Sequence, residues 1–358
     1  MDNKYASAPT YNAQALNLLK YLPAIDPAVD TQGCGLVSYA IPSIVSDNQF
    51  VTRVDYTINA KNNLYARYFI DGYQAPAFFS PTNILITTQS GNLQRVQSFT
   101  IGESYAISPR TVNTFNATVS RRRNNRGYAD NDINVSAIGV DLYQAVPNGL
   151  QLTVSNKFTI GGGTNSVSHF NDNALAISDD ITMLRGKHQL VIGGAWVQNQ
   201  LNISNAYQSN GNFGFDGRYS ANGPGGGSGG GDQNLDFLMG TMSTFQQSKM
   251  QQNALRAPIP SLYIQDTYHP TSHLTLVGGV RWAPEFLPVD YFNRGTTFEM
   301  DAFLANKTSS IYPNAPAGTF FYGDKGVSRQ FTKNSPWQFS PNVGFSWDPV
   351  GDGKTVLR

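Results

Sequence analysis

Cysteine is nearly absent from this chain. Cys34 stands alone among 358 residues, so no internal disulfide can form, and no Cys/His metal spacing surrounds it. Charge is also scarce: Asp, Glu, Lys and Arg make up 14% of the sequence and leave a net charge of +1. A balance this close to neutral gives no field to draw nucleic acid or an anionic membrane surface. No apolar run reaches the ~18 residues a membrane-spanning helix needs. The opening Met1–Pro9 has no basic segment followed by an apolar one, so no export signal is readable there.

What is present is aromatic and turn-rich. Tyr (18) and Phe (21) far outnumber Trp (4) and Met (6), and Gly (34) and Pro (19) are abundant, while hydrophobic residues reach only 40%. One apolar face per strand, one polar face and aromatic girdles would produce this mixture in a membrane β-barrel. A secreted all-β protein rich in Tyr, Gly, Asn and Ser remains the alternative at this point.

A repeated strand pair separates the two. Leu190–Trp196 follows the turn Arg185-Gly186-Lys187-His188, and Leu274–Trp282 follows His269-Pro270-Thr271-Ser272-His273. Each copy has a histidine at the turn exit, a Gly-Gly pair and a tryptophan near the far end, and each is preceded by a strand carrying an acid, Asp180 or Asp266. Three further hairpins have the same form. Phe50, Val54, Tyr56 and Ile58 alternate with Val51, Arg53, Asp55 and Thr57; after a turn at 59–63, Leu64, Ala66, Tyr68 and Ile70 alternate with Tyr65, Arg67, Phe69 and Asp71. Period-2 alternation puts one set on each face of a sheet. The second hairpin is expected at 94–107 and 112–123, with Glu103 on the same face as Phe99, Ile101, Tyr105 and Ile107. A bulge or a shift of parity is expected there, because a lipid-facing glutamate is costly. In the third, Leu175, Ile177, Ile181 and Met183 share a face interrupted by Asp179, and the fifth begins at Phe339, Val343, Phe345 and Trp347.

Between hairpins lie long segments, at 72–92, 125–168, 205–257 and 283–336, with local strands expected near Leu152–Ile160, Phe213–Tyr219 and Leu235–Lys249. The tract Gly223–Gly231 reads as a flexible loop tip. Residues 1–48 read as a surface loop holding one short helix at Asn12–Tyr21. Short turns on one side and long loops on the other predict an antiparallel up-and-down transmembrane β-barrel section: about ten strands, incomplete, with long extracellular loops. The divisions are then 1–48, loop region, and 49–358, partial barrel.

Enzymatic signatures fail on inspection. Gly351-Asp352-Gly353-Lys354-Thr355 resembles a phosphate loop, but Asp348 stands where glycine is required and a strand follows. His269 and His273 have i,i+4 spacing, yet Pro270 and the turn context argue against a zinc-binding helix. Asp130-Asn131-Asp132 lacks the spaced ligands of a calcium loop and reads as solvated. Arg121-Arg122-Arg123, near Arg126, is the one dense basic run, read either as a solvated strand end or as a rim that meets anionic lipopolysaccharide or a substrate. No catalytic triad, metal or cofactor is expected, and the chain reads as a non-enzyme.

Taken in order, Asp47–Tyr56 with Asn63–Tyr68, Tyr263–Tyr268, Leu274–Trp282 and Phe339–Pro349 resemble the barrel region of TonB-dependent outer-membrane receptors, specifically the Oar-like group. That resemblance implies energy-coupled uptake by a parent protein with a plug inside a barrel of about 22 strands. It also implies contact with outer-membrane lipid, with the TonB complex through that plug, and with an unknown extracellular ligand. A chain cut at both ends is expected. Arg53, Asp55, Arg67, Asp180, Asp266 and Arg281 are the lumen-facing candidates, either lining a ligand path or bracing the wall as ion pairs. A surface adhesion β-protein without transport is the second reading.

Overall fold

The computed structural model describes residues 10–26, 28, 35–161, 166–222, 230–330 and 334–358. Cys34 and most of the Gly223–Gly231 tract lie outside the described residues. In chain order the strands begin with β1 (Ser46–Asn59), β2 (Asn62–Ala75), β3 (Gly91–Ser108) and β4 (Thr111–Gly127). The short β5 (Gln151–Val154) and β6 (Phe158–Ile160) precede β7 (Ser168–Arg185) and β8 (His188–Asn205). After β9 (Asn212–Phe215) and β10 (Thr244–Gln246) come β11 (Gln251–Thr271) and β12 (Leu274–Trp282). The short β13 (Val289–Asp290), β14 (Thr296–Phe298) and β15 (Thr319–Phe321) lead to β16 (Phe339–Trp347). Four short helices complete the set: α1 (Ala13–Leu19), α2 (Arg218–Asn222), α3 (Gln233–Met239) and α4 (Met300–Leu304).

The long strands pair in the order β1-β2-β3-β4-β7-β8-β11-β12-β16, an antiparallel meander that does not close on itself. Two-residue turns join β1 to β2, β3 to β4, β7 to β8 and β11 to β12, and the links β2–β3, β4–β7, β8–β11 and β12–β16 that complete the meander are long. Register carries the alternation across the sheet. Val54, Ala66, Ile101, Ala117, Ile177 and Trp196 form one row, while Asp55, Tyr65, Gly102, Asn116 and Ser178 form the next, on the other face. The apolar face is uncovered: Val54 is 64% exposed, Trp196 45% and Val343 91%. At ~4.8 Å per strand the face is roughly 40 Å wide, and with about nine residues per strand at ~3.3 Å each it covers on the order of 1,200 Å², beyond the few hundred Å² of apolar patch a soluble monomer usually exposes. Aromatics stand along it: Tyr56, Tyr105, Phe345 and Trp347 near the short turns, Phe99 and Trp196 at mid-strand, and Phe50 and Phe339 toward the long connections.

Glu103 stays on this face without a bulge. The β2–β3 register is continuous from Asn62↔Tyr105 to Ala75↔Asn92, and Asn62 Nδ2 donates to the Glu103 carboxylate at 2.6 Å. The expected bulge or parity shift is therefore replaced by a neighbouring amide, and the register slips only at the turn, between Ala106 and Ser108. Asp179 has a comparable partner in Asn113. Prolines obey the sheet as well. Pro258 and Pro260 fall where β11 pairs with β8 but has not yet met β12, so no ladder bond on the β12 side is lost.

The long connections are less irregular than their composition implies. Helix α1, the four-stranded sheet β10-β9-β5-β6 and helix α3 enclose a common core of Leu18, Ile84, Val135, Leu150, Val154, Ile160, Phe215 and Phe237. This cap lies at the strand ends opposite the short turns. Asn12 starts α1 by accepting the Ala15 N–H at 3.1 Å. Asp232 does the same for α3, which ends at Gly240 in the left-handed region (φ 73°). Part of the stretch 235–249, expected as strand, is thus helix, because a capping aspartate and a terminal glycine bracket it.

Candidate functional site

The polar face of the sheet gathers most of the candidates read from sequence. Arg53 and Asp55 stand two residues apart on β1 and form an ion pair at 2.7 Å, with the Arg53 guanidinium 4.0 Å from the Tyr65 ring centre. Arg67 lies directly across from Arg53 on β2. Asp180 on β7 accepts from the Tyr263 hydroxyl at 2.5 Å, and Arg281 on β12, directly across from Tyr263, donates to Ser261 at 3.1 Å. Arg53, Asp55, Arg67, Asp180 and Arg281 therefore share one face, in two groups separated along the sheet.

Asp266 does not join them, which corrects its selection. Ile264 and Leu262 precede it at period-2 spacing on the apolar face, and Asp266 follows their phase. It is held there by His188, whose Nδ1 lies 2.6 Å from its carboxylate and whose ring stacks on Tyr268 at 4.3 Å between centroids. Choosing Asp266 for its charge overrode an alternation that already placed it correctly.

One device repeats on the polar face. Tyr65 lies over Gly102, its cross-strand partner, and reaches Asn116 on the next strand at 2.7 Å. Tyr263 lies over its partner Gly193 and reaches Asp180 beyond it. A methyl group at either glycine would occupy the space of the tyrosine ring and the acceptor. The glycine of each pair is the feature that admits an aromatic brace across three strands. The Gly-Gly motif was visible in the sequence; the tyrosine that fills it comes from a strand about seventy residues away, beyond the reach of local pattern.

The cap adds a second surface. An apolar recess of about 360 Å³ is bordered by Ala15, Leu18, Ile138, Leu152, Phe213 and Phe237. Asp236, fully buried, accepts from the N–H groups of Tyr219 (3.2 Å) and Ser220 (2.8 Å) and so ties α3 to α2. Asp132, expected to be solvated, is buried, and burial pushes its carboxyl up to about 6 although it accepts the Ile133 N–H. In the connection between β12 and β16, burial opposes ionisation of Asp324. Donors from Ser309, Ser310 and Phe321 outweigh it and hold the carboxyl well below the usual range.

The residues considered for other chemistry have structural roles. Asp348 accepts the N–H groups of Gly351 (2.7 Å) and Gly353 (2.9 Å), so its carboxylate closes this turn on itself. His269 ends a strand against Thr275 at 3.0 Å and His273 sits in the turn, with no helix between them. Among the described residues no three His, Cys, Asp or Glu side chains converge as a metal site.

Comparison with known proteins agrees with this architecture. No curated protein matches the chain. Among solved structures, the outer membrane transporter YddB from Escherichia coli is similar at 9% identity and a TM-score of 0.48, over 93% of this chain and 32% of that one. The copper transporter OprC (9%, TM-score 0.42, 86% and 34%) and the siderophore receptor PiuA from Acinetobacter baumannii (11%, 0.44, 86% and 40%) are similar as well. The chain spans between 32% and 40% of the length of these three. Residues 2–358 match the family described as outer membrane beta barrel domain. That match covers nearly the whole chain, and the chain belongs to the outer membrane beta barrel domain family and resides in the outer membrane.

Proposed function

We propose that this chain forms a section of barrel wall and the outward-facing cap of a TonB-dependent uptake receptor. The observation that carries the reading is the folding of the long connections into one cored cap at the strand ends opposite the short turns; Arg53, Asp55, Arg67, Asp180 and Arg281 would border the ligand path along the polar face. The apolar face meets lipid. Strands β1 and β16 each have a neighbour on one side only, and unpaired strand edges are not tolerated in hydrocarbon, so in the membrane both edges pair with further strands. The cap recess takes the ligand first, and a plug contacting TonB couples its passage to energy.

The test is accumulation of labelled ferric siderophores, oligosaccharides and peptides by cells producing the whole receptor, with and without a proton uncoupler. Uncoupler-sensitive accumulation of one class, lost when the cap core is disrupted by Leu18→Asp, supports uptake. Surface binding that is insensitive to the uncoupler, with no accumulation, would replace transport by adhesion.

A further inference from the structure

The basic run at 121–123 does not act as a unit. Successive residues of a strand face opposite ways, so Arg122 points to the polar face, where it pairs with Asp172 at 2.7 Å. Arg121 and Arg123 point to the apolar face. There they meet Arg95 of the neighbouring strand, which register places directly across from Arg123, with Arg121 diagonal to it. Directly opposed residues have Cβ atoms about 5 Å apart, and like charges so placed repel.

Among the described residues, no carboxylate forms an ion pair with this trio. All three side chains are exposed. Arg121 and Arg123 donate only to the neutral Asn173 and Asn125, both at 3.4 Å. On this face of β1, β2, β3, β4 and β7 the only carboxylates are Glu103 and Asp179. Glu103 lies eight residues along the strand from Arg95, about 26 Å at ~3.3 Å per residue. Beside Arg95 the register holds Gly72, which has no side chain to cover the arginine; a methyl group there would meet the Asn48 carbonyl at 3.9 Å. The result is a depression of about 600 Å³ with Phe50, Ile70 and Leu93 on its apolar walls and Arg95 and Arg123 on its basic one; Asp71, which alternation assigns to the opposite face, also borders it. Register places Arg121 level with Phe50 and sets Arg95 and Arg123 two residues beyond it toward the long connections, all three past Phe99.

We infer that Arg95, Arg121 and Arg123 form a site for the phosphate groups of an outer-leaflet glycolipid, with acyl chains lying along the apolar strands below. Charge complementarity selects a multiply phosphorylated headgroup: three guanidiniums share one face within two residues of register, and each can donate two parallel bonds to phosphate oxygens. Adjacency to the apolar face selects a lipid over a free anion. The inference rests on the long connections facing outward, as in the proposed receptor, but not on transport.

The experiment uses the whole receptor in detergent micelles and measures binding of phosphorylated lipid A by native mass spectrometry. The combined Arg95→Gln, Arg121→Gln, Arg123→Gln variant is expected to lose at least about tenfold in affinity, while Arg122→Gln, paired on the other face, retains it. Dephosphorylated lipid A should bind as weakly to the parent as phosphorylated lipid A does to the triple variant, and inorganic phosphate at millimolar concentration should not compete. Equal binding by parent and triple variant, or full competition by inorganic phosphate, overturns the site. Equal affinity for phosphatidylglycerol overturns its assignment to the glycolipid. Uptake by the triple variant is measured in parallel: loss of lipid binding with uptake intact supports the site independently of transport.

Discussion

Replacing Gly193 by alanine tests the aromatic brace most sharply. The added methyl would be placed against the Asp180 carboxylate and within 2.7 Å of the Tyr263 ring and hydroxyl. Neither neighbour can yield freely, since both sit on paired strands and bond to each other. Overpacking of this kind costs about 1–3 kcal/mol, and losing a hydrogen bond to a charged acceptor adds about 1.5–3 kcal/mol. Together the change should destabilise the folded protein by about 2.5–6 kcal/mol, read as a lowered guanidinium midpoint in liposomes. Gly278 and Gly344 supply the control, because a methyl there meets open space; alanine should be neutral or slightly stabilising at either. In a double-mutant cycle, Tyr263→Ala should relieve the clash and give a coupling above about 1 kcal/mol. A Gly193→Ala cost no larger than that of Gly278→Ala would refute the reasoning.

The cap yields three further expectations. Asp132 has its folded pKa raised from 3.8 to about 6, so its stabilising contribution is complete below about 4 and is lost as pH rises through 6. That amounts to about 3 kcal/mol, and Asp132→Asn should remove this pH dependence from hydrogen exchange of the cap. Leu18→Ala, at a side chain 1% exposed, should cost about 2–5 kcal/mol, with faster exchange in α1 and β5 while β7 and β8 stay protected. Asp236→Ala leaves two N–H groups without their acceptor and should cost about 2–5 kcal/mol, seen as early proteolytic cleavage between α2 and α3.

Sequence alone could carry the wall but not the cap, for a physical reason. Alternation at 50–58 or 274–282 is local, and its period of two assigns faces before any partner strand is known. Asp266 failed because charge was allowed to override that phase, and Glu103 because a neighbouring amide was not foreseen. The triple arginine run misled in the opposite sense: read linearly it is one basic block, yet pleating divides it and adds Arg95 from another strand. The cap core draws Leu18, Ile84, Val135, Leu152 and Phe237 from four separate segments. No window of sequence contains such a contact set, and Asn, Gly and Ser between the apolar residues disguise it as loop.

The central claim is that one face of the sheet meets lipid and the other does not. Spin labels placed singly from 112 to 122 along β4, in the liposome-reconstituted receptor, test it directly through collision with oxygen and with a water-soluble nickel chelate. The account predicts oxygen maxima at Phe115, Ala117 and Val119 and nickel maxima at Thr114, Asn116 and Thr118, alternating with a period of two. The opposite phase, or accessibility without a period of two, would contradict it.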